Sequence, residues 1–540
     1  MTSDPVTRVP WHRGLATLSR LERVLLGATL VGVVLHVALA WRAVVLYDGT
    51  VYAYLGGSFA RNGALVLDWA PSGALPVWGY GLVYPSYLAG LYGAFGFSLA
   101  VTKTAASVAA LLAIAVTYAT TRDLFGRTKG LLAAAVVSLD LTLIRSNYYA
   151  YAEPVVLALL VLALWSLLRG LRDSRFMPLF GVFAGLFYLS KTVLGWSFVA
   201  LAVTLLLAWR FAFVRGRLLR DPLWWGGALL PLAFVAAREV LIAAGTDAVA
   251  SHGIGFGFAR FAEILPIAAV KLPFLAAMLL LFVVFWLPEL RRAVRGIREP
   301  QASALLLGGM GFALATWWLV SAIALTEPWN PLLFEDNVRY LVLLLVPLLW
   351  LALPHMDLGP DKPPEAPRRS LPPSRAVAAA AVGGLAALVG IVVGPLLGVV
   401  LAFGAVALLI RSSGRRLALL LVASALVSAA VVAHTERPAF LEAAGALDAR
   451  LRPGDAVALD DRLPAGTAPP LSPIQLYPYL SRHDIEVFPL DPGRNATFIL
   501  SQTIPRAGSA HDGFTNVGTF PDPSGRYEVA LWQLNGTVGR

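Results

Sequence analysis

Val44-Val45-Leu46-Tyr47-Asp48-Gly49-Thr50-Val51-Tyr52 closes the first long apolar run of the chain and opens its first polar loop. The run before it, residues 23–45, has the length that crosses a bilayer as a helix. Asp48 is the first acidic residue after that run. A carboxylate placed there lies at the bilayer surface, where ionisation costs little and a molecule carried in the lipid can reach it. The residues on either side decide whether that placement has a use.

Composition supports a membrane setting. Of the 540 residues 58% are hydrophobic and only 14% charged, against roughly 25% charged in a soluble chain, and mean hydropathy is +0.71. The net charge of +11 is unevenly spread, since residues 440–540 hold eight Arg against eleven Asp and Glu. The excess of positive charge therefore belongs to the apolar part, as Arg-rich cytoplasmic turns would place it. No basic stripe interleaved with aromatics is present, so nucleic acid is not an expected partner. Cysteine is absent, which excludes disulfides and thiolate metal sites. Residues 1–22 are polar and basic, and the span after them is too long for a cleavable signal. They read as a cytoplasmic N-terminus ahead of a retained helix.

Placing the Arg clusters inside gives one consistent path. Span 1 (23–45) runs outward to a long external segment, 46–100. Within that segment the apolar run 82–97, bracketed by Gly and Pro, reads as juxtamembrane or re-entrant. Spans follow at 101–121, 130–147, 154–169, 177–190, 193–214, 223–243, 268–288, 302–325 and 339–354. A Pro- and Arg-rich cytoplasmic linker (355–374) leads to further spans at 375–390, 392–411 and 417–434. The total is about 13 spans, and residues 435–540 are left outside. In that tail charge rises, and Ala456-Val457-Ala458-Leu459 and Glu486-Val487-Phe488-Pro489-Leu490 have strand character. Helices are expected at 438–450 and 471–481, making a small α/β domain.

Acids on the outer side follow the odd-numbered spans. Asp48 and Glu153 differ from the others, because each lies in aromatic, nearly uncharged sequence (Tyr47, Tyr52, Tyr54; Tyr148, Tyr149, Tyr151). Lys191 occupies a three-residue outer turn, against the inside bias; it reads either as a side chain snorkelling to the interface or as a cation for a phosphate. Lys103, Arg260 and Arg339 are placed similarly, and several outer cations together would neutralise a lipid phosphate. Arg238-Glu239, deep in the span 223–243, reads as an intramembrane pair with a structural role. No HExxH, P-loop or Gly-rich nucleotide fingerprint occurs.

The order of these pieces resembles the membrane-embedded GT-C glycosyltransferases, above all the protein O-mannosyltransferases and the lipid A aminoarabinose transferases. Asp48 and Tyr52 match the acidic motif of the family's first external loop, with Gly49 where a second acid often stands. Tyr84-Pro85-Ser86-Tyr87 corresponds to the Pro-Pro-Leu-Tyr-like segment, and Arg122-Asp123-Leu124-Phe125-Gly126-Arg127 to the basic Leu-Phe-Gly turn. Glu153-Pro154 matches the second-loop acid, Gly185-Leu186-Phe187-Tyr188-Leu189-Ser190-Lys191 the Gly-Leu-x-x-Leu-x-Lys segment, and Arg339-Tyr340-Leu341 with Pro347 the late Arg-Tyr-Leu.

The resemblance covers roughly residues 23–354 and implies transfer of a sugar, with inversion, from a polyprenyl-phosphate carrier to an extracytoplasmic protein, glycan or lipid. It implies catalytic roles for Asp48 and Glu153. Lys191, Arg339, Lys103 and Arg260 would bind the donor phosphate, and Tyr52, Tyr84 and Tyr340 the substrate. No cofactor or metal is expected, since Gly49 removes the second acid on which an oligosaccharyltransferase-type metal would depend. The expected fold is an α-helical polytopic membrane protein of GT-C type, in the plasma membrane, with an extracytoplasmic C-terminal α/β domain. A transporter or flippase of lipid-linked glycans is the alternative, but it should show internal repeats and mid-bilayer charges in corresponding halves, and no repeat is seen.

Overall fold

The computed structural model describes residues 18–42, 44–45, 48–63, 65–67, 75–76, 81–190, 220–243, 342–353, 439–461, 476–480, 485–491, 494–503, 511–522 and 527–535. The expected spans at 193–214, 268–288, 302–325, 375–390, 392–411 and 417–434, the linker 355–374, and Lys191, Arg260, Arg339 and Tyr340 lie outside these residues. Among the described residues three helices are long and apolar enough to cross a membrane, or four if one bent pair counts as a single span.

The first is α1 (Arg20–Arg42). Its start is a capping box: the Ser19 amide donates to Glu22 Oε2 at 2.9 Å and the Glu22 amide to Ser19 Oγ at 3.2 Å. Val24, Leu30, Val31, Val34 and Val37 form its exposed, lipid-suited face, while Leu25, His36 and Leu39 turn inward. Trp41 is exposed in the last turn, where an aromatic suits the membrane–water interface.

The segment 46–100 is more structured than a loop. Helix α2 (Asp48–Asn62) is buried continuously from Gly49 to Ser58. Two short strands, β1 (Val66–Leu67) and β2 (Leu75–Pro76), pair antiparallel, and α3 (Val83–Phe95) follows. At 13 residues, α3 is too short to span, since a spanning helix needs about 20.

Ser98 caps the second spanning helix, α4 (Leu99–Phe125), by accepting from the Val101 amide at 3.2 Å. Gly126, at φ 95°, ends it and lets α5 (Arg127–Ser138) begin at once. Ion pairs stitch this basic turn to its neighbours. Arg127 donates from Nε (2.9 Å) and Nη2 (2.8 Å) to Glu22, and Arg169 donates from Nε to Asp123 at 2.8 Å. The stretch expected as a span at 130–147 is bent: it breaks after α5, and α6 (Leu141–Tyr148) continues at an angle of 53°. Asp140 causes the break by capping α6, accepting from the Leu143 amide at 2.9 Å.

Helix α7 (Glu153–Gly170), the third spanning helix, carries Pro154 in its first turn, a position where proline costs no hydrogen bond. Beyond it α8 (Met177–Ser190) and α9 (Pro222–Ala243) run side by side in the same direction. Gly181 faces Gly227 and Leu230, and Gly185 faces Phe234, at distances that leave no room for a Cβ. Small residues here permit the close approach that drives helix pairing in lipid. Helix α10 (Val342–Ala352) packs on α7 and α5, and its Trp350 Nε1 donates to Thr121 Oγ1 of α4 at 2.7 Å in the interior.

The C-terminal part begins with α11 (Ala439–Asp448). A five-stranded mixed sheet follows: β3 (Ala456–Asp461), β4 (Glu486–Pro489), β5 (Phe498–Thr503), β6 (Phe514–Pro521) and β7 (Glu528–Leu534), in the order β4-β3-β5-β7-β6. Strands β4, β3 and β5 are parallel, while β5-β7 and β7-β6 are antiparallel. Of the helix expected at 471–481, the described residues hold only a 3₁₀ turn, Tyr477–Tyr479. This part does not stand apart from the helices. Leu39, Val44, Tyr54, Ile144 and Tyr148 share one apolar cluster with Phe440, Leu447, Leu459 and Leu500.

Candidate active site

The loops that carry Asp48 and Glu153 are joined through their backbones. The Val44 amide donates to the Tyr148 carbonyl at 3.1 Å. Gly49 lies so close to the Tyr149 carbonyl oxygen that a Cβ would overlap it. Ala150 adopts φ 58°, a left-handed turn rare for alanine, and packs with Val45, Ala53 and Ala106. The chain thus turns sharply at 149–152 and enters α7 at Glu153.

A buried polar group inside the bundle fixes that turn. Asn147 Nδ2 lies 3.1 Å from both the Nδ1 and the carbonyl oxygen of His36, and Ser107 Oγ donates to the His36 carbonyl (3.0 Å) and to Asn147 Oδ1 (3.2 Å). All three residues are buried. The Ala150 amide then donates to the Asn147 carbonyl at 3.1 Å and that of Tyr151 to Ser146 at 2.8 Å.

Asp48 is half-buried in the first turn of α2. Glu153 is fully buried in the first turn of α7. Both stand where the helix dipole favours a negative charge. Tyr52, one turn along α2 from Asp48, meets Tyr84 edge to face, with centroids 5.2 Å apart and planes at 83°. Tyr84 stacks in turn on Tyr87 at 6.0 Å. Burial pushes the Tyr84 phenol well above its ordinary range; Tyr92, Tyr87, Tyr52 and Glu153 add to the shift. The Tyr84 hydroxyl is buried with no hydrogen-bond partner among the described residues.

Lys103 is half-buried on α4. It lies three and four residues before Ala106 and Ser107, hence on the face they turn towards α2 and α6. The start of α3 is seated on the outer end of α8: the Leu82 amide donates to the Leu189 carbonyl at 2.6 Å, and Gly81, at φ 82°, abuts the Ser190 carbonyl. Lys191 follows Ser190 directly.

The structure therefore brings Asp48, Tyr52, Tyr84, Glu153 and the segment before Lys191 to one end of the bundle, with Lys103 beside them. Sequence reasoning missed His36, Ser107 and Asn147. Their one signal was polarity within otherwise apolar runs (His36, Ser107) or at the end of one (Asn147). Among the described residues no group of three or more His, Asp or Glu stands ready for a metal ion.

The fold has counterparts. ArnT from Cupriavidus metallidurans in the apo state superposes with a TM-score of 0.58 at 17% identity, covering 97% of this chain and 98% of that one. The same protein bound to undecaprenyl phosphate gives 0.55 at 18% identity, covering 94% and 97%. The sequence profile of the dolichyl-phosphate-mannose-protein mannosyltransferase family matches residues 81–238. This is a GT-C fold. The matched stretch runs from Gly81, at the start of α3, to Arg238 in α9, and so includes Tyr84, Lys103, Glu153 and Lys191. No curated protein sequence matches the chain closely. The GT-C fold accounts for a polytopic helical body with a C-terminal sheet.

Proposed function

We propose that this chain is an inverting glycosyltransferase that moves a sugar from a polyprenyl-phosphate donor to an extracytoplasmic protein, glycan or lipid. The reading rests on the convergence of Asp48, Tyr52, Tyr84 and Glu153 at one end of a GT-C bundle. A related fold has been seen with undecaprenyl phosphate bound, the leaving group that this chemistry would release.

The step needs little from the protein beyond charge and position. The acceptor hydroxyl attacks the anomeric carbon from the face opposite the phosphate, and the bond from that carbon to the phosphate oxygen breaks. Asp48 takes the hydroxyl proton as base. The polyprenyl phosphate leaves as an anion, so cations rather than a general acid serve it, and Lys191, Arg339, Lys103 and Arg260 take that role. Glu153, buried and fixed at its helix start, orients the nucleophile side and steadies positive charge on the sugar ring, as paired carboxylates do in glycosidases. Tyr52, Tyr84 and Tyr340 line the sugar. The N-terminus lies in the cytoplasm, and α2, α3 and the C-terminal domain lie on the outer face of the plasma membrane.

Mass spectrometry of envelope glycans and glycolipids from a deletion strain tests the reading. Loss of one sugar modification, restored by the wild-type gene, supports it and names the substrates. An unchanged envelope profile argues against it.

A further inference from the structure

Arg238 lies in α9 between Ala237 and Glu239, in sequence otherwise apolar for a full turn on each side. An ionisable group in a membrane helix is costly unless it has a partner or a task. The register of α9 against α8 shows where it stands. Gly181 meets Gly227 and Leu230, Gly185 meets Phe234, and one turn further the Arg238 guanidinium donates from Nη1 to the Tyr188 hydroxyl at 3.2 Å. The guanidinium carbon also lies 5.7 Å from the centre of the Tyr188 ring. Arg238 is therefore level with the last turn of α8. That is the same turn on which Gly81 and Leu82 seat the start of α3 through Leu189 and Ser190. Tyr84 follows two residues later.

Two features set Arg238 apart from a helix-pairing residue. It is half-buried rather than buried, so part of the side chain is accessible. It is also an arginine held on an aromatic face, and a guanidinium offers five donors in a planar fork that suits phosphate oxygens. The Nη1 contact to Tyr188 helps to set the side chain's direction.

We propose that Arg238, held by Tyr188, is a further phosphate-binding cation for the lipid-linked donor, at the junction of α8, α9 and the start of α3. The inference rests on the glycosyltransferase reading and adds to it a residue whose pairing within the membrane had suggested only a structural role. Arg238 meets the phosphate from the α9 side, beside the last turn of α8. Tyr188 is a positioning residue that acts through Arg238.

The test uses the purified full-length chain in lipid nanodiscs, with undecaprenyl phosphate as probe and native mass spectrometry as readout. Binding to the wild type with loss of at least about tenfold affinity in Arg238→Gln is expected, with a smaller loss in Tyr188→Phe and an unchanged thermal midpoint without lipid. Equal affinity in wild type and Arg238→Gln overturns the assignment while leaving the glycosyltransferase reading intact. Failure of the wild type to bind undecaprenyl phosphate overturns both. If Arg238→Gln does not accumulate, Arg238→Lys serves instead: a several-fold weaker affinity supports the fork-like contact, and unchanged affinity removes it. Inorganic phosphate at the same concentration is the second arm. Binding of it by the wild type, lost in Arg238→Gln, would assign the cation to a soluble phosphate and overturn the lipid-donor assignment.

Discussion

Gly49 is pressed against the carbonyl oxygen of Tyr149, with no space between them for a Cβ. The contact joins the residue after Asp48 to the turn that delivers Glu153, so the two carboxylates are set by one piece of backbone packing rather than by two independent loops. It also gives a physical reason for glycine at this position: at this spacing any side chain displaces the 149–152 turn.

Gly49→Ala should accordingly destabilise the protein by about 1–3 kcal/mol, the range for overpacking a close contact, and Gly49→Asp by more. Thermal unfolding in detergent checks the ordering. A Gly49→Asp protein as stable as wild type would mean that the loops are not in contact.

Asn147→Leu removes the amide that serves both His36 and Ser107. Leaving buried polar groups without that partner costs about 1–3 kcal/mol. Sugar transfer should fall further than stability does, because the 149–152 turn loses its anchor. Comparing the thermal midpoint with turnover measures the two effects separately; a loss of stability with turnover per folded molecule unchanged would make Asn147 purely structural.

The sequence carried the helical body and its acids more legibly than the way they are held. The first span was placed at 23–45 and its helix runs Arg20–Arg42; the region 101–121 lies within Leu99–Phe125. Apolar length and Arg-rich turns are strong local signals, and these elements obey them. Helix α2 was hidden because Asp48–Asn62 is short, Gly- and Tyr-rich and buried on all sides, so it lacks an amphipathic stripe. The break at Asp140 was missed because one capping acid inside a long apolar run resembles a tolerated exception. Strands β5, β6 and β7 escaped because their pairing is set by non-local partners, and β5 is buried along its whole length. At the candidate site, Asp48, Glu153, Tyr52 and Tyr84 stood out by residue type. The His36–Ser107–Asn147 group did not, since its members are far apart in the chain and meet only on folding.

Tyr479 links the C-terminal domain to the first loop, its hydroxyl donating to the Val45 carbonyl, while Tyr477 packs on Tyr54 at 5.7 Å. Burial raises the Tyr479 phenol above its ordinary value of 10.0. A phenol whose folded value is raised contributes stability that is present below pH 10.0 and lost as pH rises through the folded value. Tyr479→Phe should lower stability by about 1 kcal/mol at neutral pH and flatten part of the alkaline decline above pH 10. Equilibrium unfolding across pH 8 to 11 measures both, and a variant whose alkaline profile matches wild type would exclude Tyr479 as a titrating contact.

Glu153→Gln keeps the shape of the buried side chain but removes its charge. Transfer should fall by about 10²-fold or more with little change in donor binding, since the cations rather than Glu153 hold the phosphate. Turnover and undecaprenyl-phosphate affinity measured on the same preparation separate these roles. A variant with near-normal turnover would remove Glu153 from the chemistry.

The most direct test concerns Asp48. A deletion strain complemented with wild type or with Asp48→Asn, at matched membrane levels, is analysed by mass spectrometry of its envelope glycans and glycolipids. Wild type should restore the missing sugar, and Asp48→Asn should leave it missing while the protein still inserts and still binds undecaprenyl phosphate. Full restoration by Asp48→Asn would contradict a glycosyltransferase that relies on this carboxylate as its base.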